Sequence, residues 1–98
     1  MDIVYRLQGA EFEWDENKAQ NNIQKHGVTF EEAAEVFFDP FYQTGDASVH
    51  EERRDFIIGY TFSQRLLLAV YTERGNRTRI ISSRPATRAE RKVYEEAN

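Results

Sequence analysis

The fold turns on Leu66-Leu67-Leu68-Ala69-Val70-Tyr71-Thr72-Glu73-Arg74-Gly75-Asn76-Arg77-Thr78-Arg79-Ile80-Ile81-Ser82-Ser83. Leu66 to Val70 is apolar at successive positions, so both faces of an extended segment would be buried, as in a central strand. Gly75-Asn76 tolerates positive φ at both residues and forms a hairpin turn. The reading is therefore a strand over Leu66–Thr72, a turn, and a strand over Arg77–Ser83. Upstream, Asp55–Phe62 reads as another strand, with Ser63-Gln64 as a short turn, and Phe41–Gly45 as a fourth. Phe56, Ile58, Tyr60 and Phe62 share one face, which predicts burial against the helices. Together these runs form a three- to four-stranded antiparallel meander.

Towards the N-terminus the period changes. Phe12 to Trp14 is a short aromatic strand; Asp15 is a good N-cap, and a polar helix follows to Lys25 or His26, with Gly27 as its stop. Thr29-Phe30-Glu31-Glu32 is a capping box that starts a second helix with Phe30, Ala33, Ala34, Val36, Phe37 and Phe38 on its apolar side, and Asp39-Pro40 ends it. Thr87-Arg88-Ala89-Glu90 is a second capping box opening a C-terminal helix through Tyr94. The predicted class is α+β: a short N-terminal strand, two helices, the meander and a final helix, with one sheet face partly uncovered.

Ninety-eight residues suit one domain, taken as 1–98 with its core over about 11–95. The chain has no cysteine and only His26 and His50 as imidazoles, so no metal centre or cofactor is expected. Met1 to Arg6 lacks a signal-peptide pattern and no run is long and apolar enough to span a bilayer, so the expected address is the cytoplasm, with no membrane partner. Net charge is -4, but it is unevenly spread. Residues 1–72 carry six Lys/Arg against thirteen Asp/Glu, whereas residues 73–92 carry seven against two. A basic site on an acidic body and an ordinary solvated arginine face both fit this asymmetry.

Several residues are candidates for chemistry. His26 reads either as a cation at the negative end of its helix dipole or as an acid or base near neutral pH. Glu52, with Glu51 beside it, reads either as part of a surface ion-pair run or as a general base held by Arg54. Arg77 and Arg79 share a strand face, and Arg84 falls on the opposite parity unless a bulge re-aims it. Guanidinium groups bind phosphate through paired planar donors and stabilise the charge that develops on it during cleavage. Arg91 and Tyr94 are neighbours on the last helix, where Tyr94 either packs the helix or stacks on a base.

The ordered motifs Phe12-Glu13-Trp14-Asp15, Lys18, Asn22, Lys25-His26-Gly27-Val28, Phe30-Glu31-Glu32-Ala33, Val36-Phe37 and Asp39-Pro40 resemble the N-terminal half of the BrnT family of ribonuclease toxins. Glu52, Arg54, Gly59, Arg65-Leu66-Leu67, Arg79 to Arg84, Glu90-Arg91 and Tyr94 continue that likeness over roughly residues 11–95. Where the family's Ile-Ser-Ala-Arg form is expected, the chain has Ile81-Ser82-Ser83-Arg84. The resemblance implies a RelE-like toxin fold and metal-independent endoribonuclease activity. It also implies neutralisation by a BrnA-type antitoxin, with operator DNA bound only through the toxin-antitoxin complex. On that basis the expected catalytic set is His26, Glu52, Arg54, Arg79 and Arg84, with Lys25, Arg77, Arg91 and Tyr94 holding RNA. From the acidic net charge alone, a non-catalytic module docking an acidic protein through its arginines is the other reading.

Overall fold

The computed structural model describes residues 1–97. Six strands form one sheet: β1 (Asp2–Leu7), β2 (Ala10–Asp15), β3 (Gln43–Asp46), β4 (Asp55–Tyr60), β5 (Leu66–Arg74) and β6 (Arg77–Pro85). The helices are α1 (Glu16–His26), α2 (Phe30–Glu35), continued by a 3-10 turn over Val36–Phe38, and α3 (Arg88–Glu96). The strand order is β1-β2-β6-β5-β4-β3. Every pairing is antiparallel except β2 with β6, where Phe12 faces Thr78 and Glu13 faces Arg79. The α+β class and the four-stranded meander β3–β6 agree with the sequence reading.

The local signals act as the chemistry requires. The Asp15 side chain accepts from the Lys18 N–H, and Gly27 closes α1 in the left-handed region at φ 67°. Thr29 and Thr87 each cap a helix, with Glu32 and Glu90 reaching back to the cap N–H.

Four expectations are corrected. A first strand, β1, precedes the aromatic one: Ile3, Tyr5 and Leu7 pack towards the core in alternation with Asp2, Val4 and Arg6, and Gln8-Gly9 turns the chain at positive φ. The strand expected from Phe41 starts at Gln43, because Asp39 accepts from the Phe41 N–H through its carboxylate and from the Tyr42 N–H through its carbonyl, holding a turn. The strand expected to reach Phe62 ends at Tyr60, since Thr61 and Arg65 close a loop and the Phe62 N–H donates to Glu35. Finally, Phe56, Ile58 and Tyr60 do not face α1 and α2; they lie on the other face with Leu66, Leu68 and Tyr94, beneath α3.

The main core lies between the sheet and α1–α2, where Phe12, Trp14, Phe30, Val36, Ile57, Leu67 and Ile80 pack together. The two helices cover that face, and the 3-10 turn comes so close to β4 that only glycine fits at Gly59. A Cβ there would stand 2.9 Å from the Val36 carbonyl oxygen and 3.3 Å from the Asp39 Cβ. Gly59→Ala is therefore expected to lower stability by about 1–3 kcal/mol through overpacking, measured by urea unfolding, with an unchanged midpoint as the contrary result.

Candidate functional site

The second sheet face is covered only in part. Helix α3 lies over one end of it, anchored by Tyr94, and the rest is a groove floored by Phe56, Ile58, Leu68 and Val70 and edged by Arg84, Glu90 and Val93. The ring of Phe56 lies over Gly45, where a Cβ would collide with it.

A bulge decides which arginines reach this face. Tyr71 pairs with Ile80 and Val70 with Ser82, so Ile81 is an extra residue in β6. Before the bulge, Arg77 and Arg79 pair with Arg74 and Thr72; after it, Arg84 pairs with Leu68, a residue of the groove floor. The bulge thus reverses the parity of the strand and puts Arg84 on the same face as Arg77 and Arg79. Arg54, just before β4, continues the alternation of Phe56 and Ile58 onto that face, its carbonyl accepting from the Ala47 N–H at 2.9 Å. The middle rung of the face is Phe56–Val70–Ser82, with Arg54 and Arg79 on one side of it and Arg84 on the other. Two residues of strand rise separate neighbouring rungs, about 7 Å, within reach of an arginine side chain.

Each of these cations has a carboxylate partner. Arg84 donates from Nη1 and Nη2 to the two oxygens of Glu90 at 2.7 and 2.8 Å, a paired fork that holds the guanidinium in one plane and holds the Glu90 carboxyl below its ordinary pKa. Arg54 pairs with Glu52 at 3.1 Å, and its Nε is buried without a hydrogen-bond partner among the described residues. Arg79 donates to Glu13 at 2.7 Å and to both oxygens of Asp2 at 3.0 and 3.1 Å. Arg77 donates from Nε to Glu11 at 3.0 Å.

The remaining predicted residues are distributed differently. Tyr94 is buried; its hydroxyl donates to Asp39 at 2.6 Å, and its ring meets Tyr60 edge-on at 5.4 Å. Burial, then the Asp39 carboxylate, drives the phenol's pKa well above its usual value, so the group acts as an anchor for α3. Arg91 donates to the Tyr60 hydroxyl at 3.1 Å. Lys25 and His26 end α1, which packs on the opposite side of the sheet, and neither makes a side-chain hydrogen bond or ion pair among the described residues. The structure therefore gathers Glu52, Arg54, Arg77, Arg79 and Arg84 on one face and leaves Lys25 and His26 off it.

Sequence reasoning missed three contributors. Asn22 is buried in α1 and bridges to β6, accepting from the Ser83 N–H at 3.1 Å and donating to the Ser83 carbonyl at 2.8 Å, which fixes the backbone next to Arg84. Glu90 was legible as a capping residue, but the use of both its oxygens by Arg84 was not. The acids on Arg79 and Arg77 belong to the β1–β2 hairpin, for which Gln8-Gly9 was the available signal. The serine at position 83, where the alanine form was expected, is accommodated because its hydroxyl donates to the Leu68 carbonyl at 3.2 Å.

No group of three or more His, Asp or Glu side chains converges as metal ligands would among the described residues, and no helix there is long and apolar enough to cross a membrane. Comparison with curated proteins gives no match. Among solved structures the chain is similar to the Brucella abortus ribonuclease toxin BrnT, at 27% identity and a TM-score of 0.59 over 76% of this chain and 94% of that one. Residues 14–90 match the family described as the ribonuclease toxin BrnT of type II toxin-antitoxin systems. Because that match spans most of the sequence, the chain belongs to the BrnT family of ribonuclease toxins.

Proposed function

We propose that this chain is a cytoplasmic, metal-independent endoribonuclease that cleaves RNA through attack of a 2′-hydroxyl on the adjacent phosphodiester, and that its open sheet face binds the RNA. The observation that carries the reading is the bulge at Ile81, which sets Arg84 on the face that also bears Arg54 and Arg79. The scissile phosphate sits over the Phe56–Val70–Ser82 rung, one rung from Arg79 and Arg54 on one side and from Arg84 on the other, so that three arginine side chains can turn to it and neutralise the charge that grows on the phosphorane oxygens. Glu52, held by Arg54 and largely exposed, takes the 2′-hydroxyl proton as the 2′-oxygen bonds to phosphorus; the bond from phosphorus to the 5′-oxygen breaks, and that oxygen takes a proton from solvent to leave as the 5′-hydroxyl. Arg77 and Arg91 extend the phosphate contacts and Tyr94 holds α3 in place. Lys25 and His26, at the end of α1 on the other side of the sheet, stand outside this set, and the role expected of His26 in proton transfer is tested against Glu52.

The partner on this reading is a BrnA-type antitoxin that covers the toxin and forms with it a DNA-binding repressor complex. Family membership supports an antitoxin partner; the identity of that partner and the autorepression are tested by co-expression with a BrnA-type antitoxin, which should relieve growth arrest and, with the toxin, shift operator DNA. The purified chain is expected to cleave RNA in excess EDTA. Glu52→Gln should lower the single-turnover rate by roughly 10²–10⁴-fold, and His26→Gln by far less. The reverse ranking would move the base to His26, and dependence on added divalent metal would overturn the metal-independent mechanism.

A further inference from the structure

The three carboxylates that occupy Arg77 and Arg79, namely Asp2, Glu11 and Glu13, all precede the segment matched to the family, residues 14–90. They arrive on the β1–β2 hairpin, which joins the sheet through the parallel pairing of β2 with β6. Without the hairpin, Arg74, Arg77 and Arg79 would present three positive charges at this end of the face. The hairpin adds three acids and Arg6, and leaves the cluster with a net charge of +1.

The acids are not equivalent. Glu13 is almost fully buried and touches Arg74, Arg77 and Arg79, so it belongs to the frame that holds these side chains. Asp2 is half exposed and takes the Nη1 and Nη2 donors of Arg79 with both its oxygens, as two oxygens of a phosphate would. Glu11 is about one-third exposed and takes Nε of Arg77, while also accepting from Nε of Arg6. A carboxylate at the solvent edge can exchange for an incoming phosphate with little desolvation cost, because it returns to water when displaced.

We infer that Asp2 and Glu11 are internal competitors of RNA: they occupy the phosphate-binding donors of Arg79 and Arg77 and so set how tightly the sheet face holds its substrate. The inference rests on the reading of that face as the RNA-binding surface. Neutralising Asp2 releases Nη2 of Arg79 while Glu13 keeps Nη1, and neutralising Glu11 releases Nε of Arg77; each released donor is open to a backbone phosphate, which raises affinity and adds a counterion-release contribution.

The test is the binding of a 2′-O-methyl oligoribonucleotide, which cannot be cleaved, to the full chain over a range of salt concentrations. Asp2→Asn and Glu11→Gln are each expected to bind about three- to tenfold more tightly near 0.1 M salt. The slope of log K against log salt should steepen by roughly 0.7 for each additional phosphate neutralised. Asp2→Glu, which keeps the competitor, should bind as the unaltered chain does. Glu31→Gln, on α2 at the other face, makes the same change in net charge and should leave both affinity and slope in place. Unchanged binding by Asp2→Asn and Glu11→Gln, or an equal increase from Glu31→Gln, overturns the inference while the RNA-binding face stands. Failure of the unaltered chain and every variant to bind overturns the RNA-binding face itself, and the inference with it.

Discussion

Replacing Arg84 with alanine is expected to reduce RNA cleavage by roughly 10²–10³-fold, the loss that follows removal of one donor aimed at developing negative charge. The fold should survive. Arg84 and Glu90 are both partly exposed, so their pair contributes no more than about 1 kcal/mol to stability, and Glu90 keeps its bond to the Thr87 N–H at 2.8 Å in the variant. Helix α3 also retains Tyr94, whose hydroxyl bond to Asp39 is independent of Arg84. Arg84→Lys separates charge from geometry. An ammonium cannot satisfy two Glu90 oxygens and a phosphate in one plane, so that variant should recover only a small part of the rate. Single-turnover cleavage and thermal unfolding of the same preparations measure both sides of the expectation. Full activity in Arg84→Ala would remove this residue from the site.

The largest effect on stability is expected at Phe30. Its ring is fully buried and meets Trp14 edge-on at 5.7 Å, so it ties the start of α2 to β2 in the middle of the main core. Phe30→Ala removes a large apolar side chain from a site enclosed by helix and sheet that has little freedom to collapse, at a cost of about 3–5 kcal/mol. Against a total of roughly 5–15 kcal/mol, the melting temperature should fall by well over ~10 °C. Val93→Ala, an apolar truncation on the exposed side of α3, should stay within about 0.5 kcal/mol. A small shift for Phe30→Ala would show that the α2–sheet layer is not what holds the domain together.

Most of the fold was legible where a residue type acts locally. Asp15, Thr29 and Thr87 cap helices because a side-chain oxygen within one turn meets an otherwise unpaired N–H, and the chain turns at Gly75-Asn76 because Gly75 takes a φ of 61°, while Asn76 does not use the positive φ it tolerates. Leu66 to Val70 betrayed its central place by being apolar on both sides. What was not legible depends on contacts distant in sequence. The parallel pairing of β2 with β6 joins residues more than sixty positions apart and leaves no periodic trace. Phe56, Ile58 and Tyr60 are apolar whichever layer covers them, so the alternation marks a buried face without saying which helix buries it.

The site followed the same division. The arginines stood out by composition, and their sharing of a face hung on a bulge at Ile81 that neither Ile80 nor Ile81 announces. Carboxylate partners were harder still. Glu90 is in register with Arg84 only because α3 folds back after Pro85, and Asp2 meets Arg79 across 77 positions. Such pairs are set by the assembled sheet rather than by spacing along the chain.

The central claim is that this face performs a phosphoryl transfer in which the RNA supplies its own nucleophile, the 2′-hydroxyl. The most direct measurement is the chemical identity of the ends produced when the purified chain cleaves a defined oligoribonucleotide in excess EDTA, read by mass spectrometry. The account predicts a 2′,3′-cyclic phosphate on one product and a 5′-hydroxyl on the other. A 5′-phosphate with a free 3′-hydroxyl, or cleavage of an otherwise identical strand lacking the 2′-hydroxyl, would contradict it.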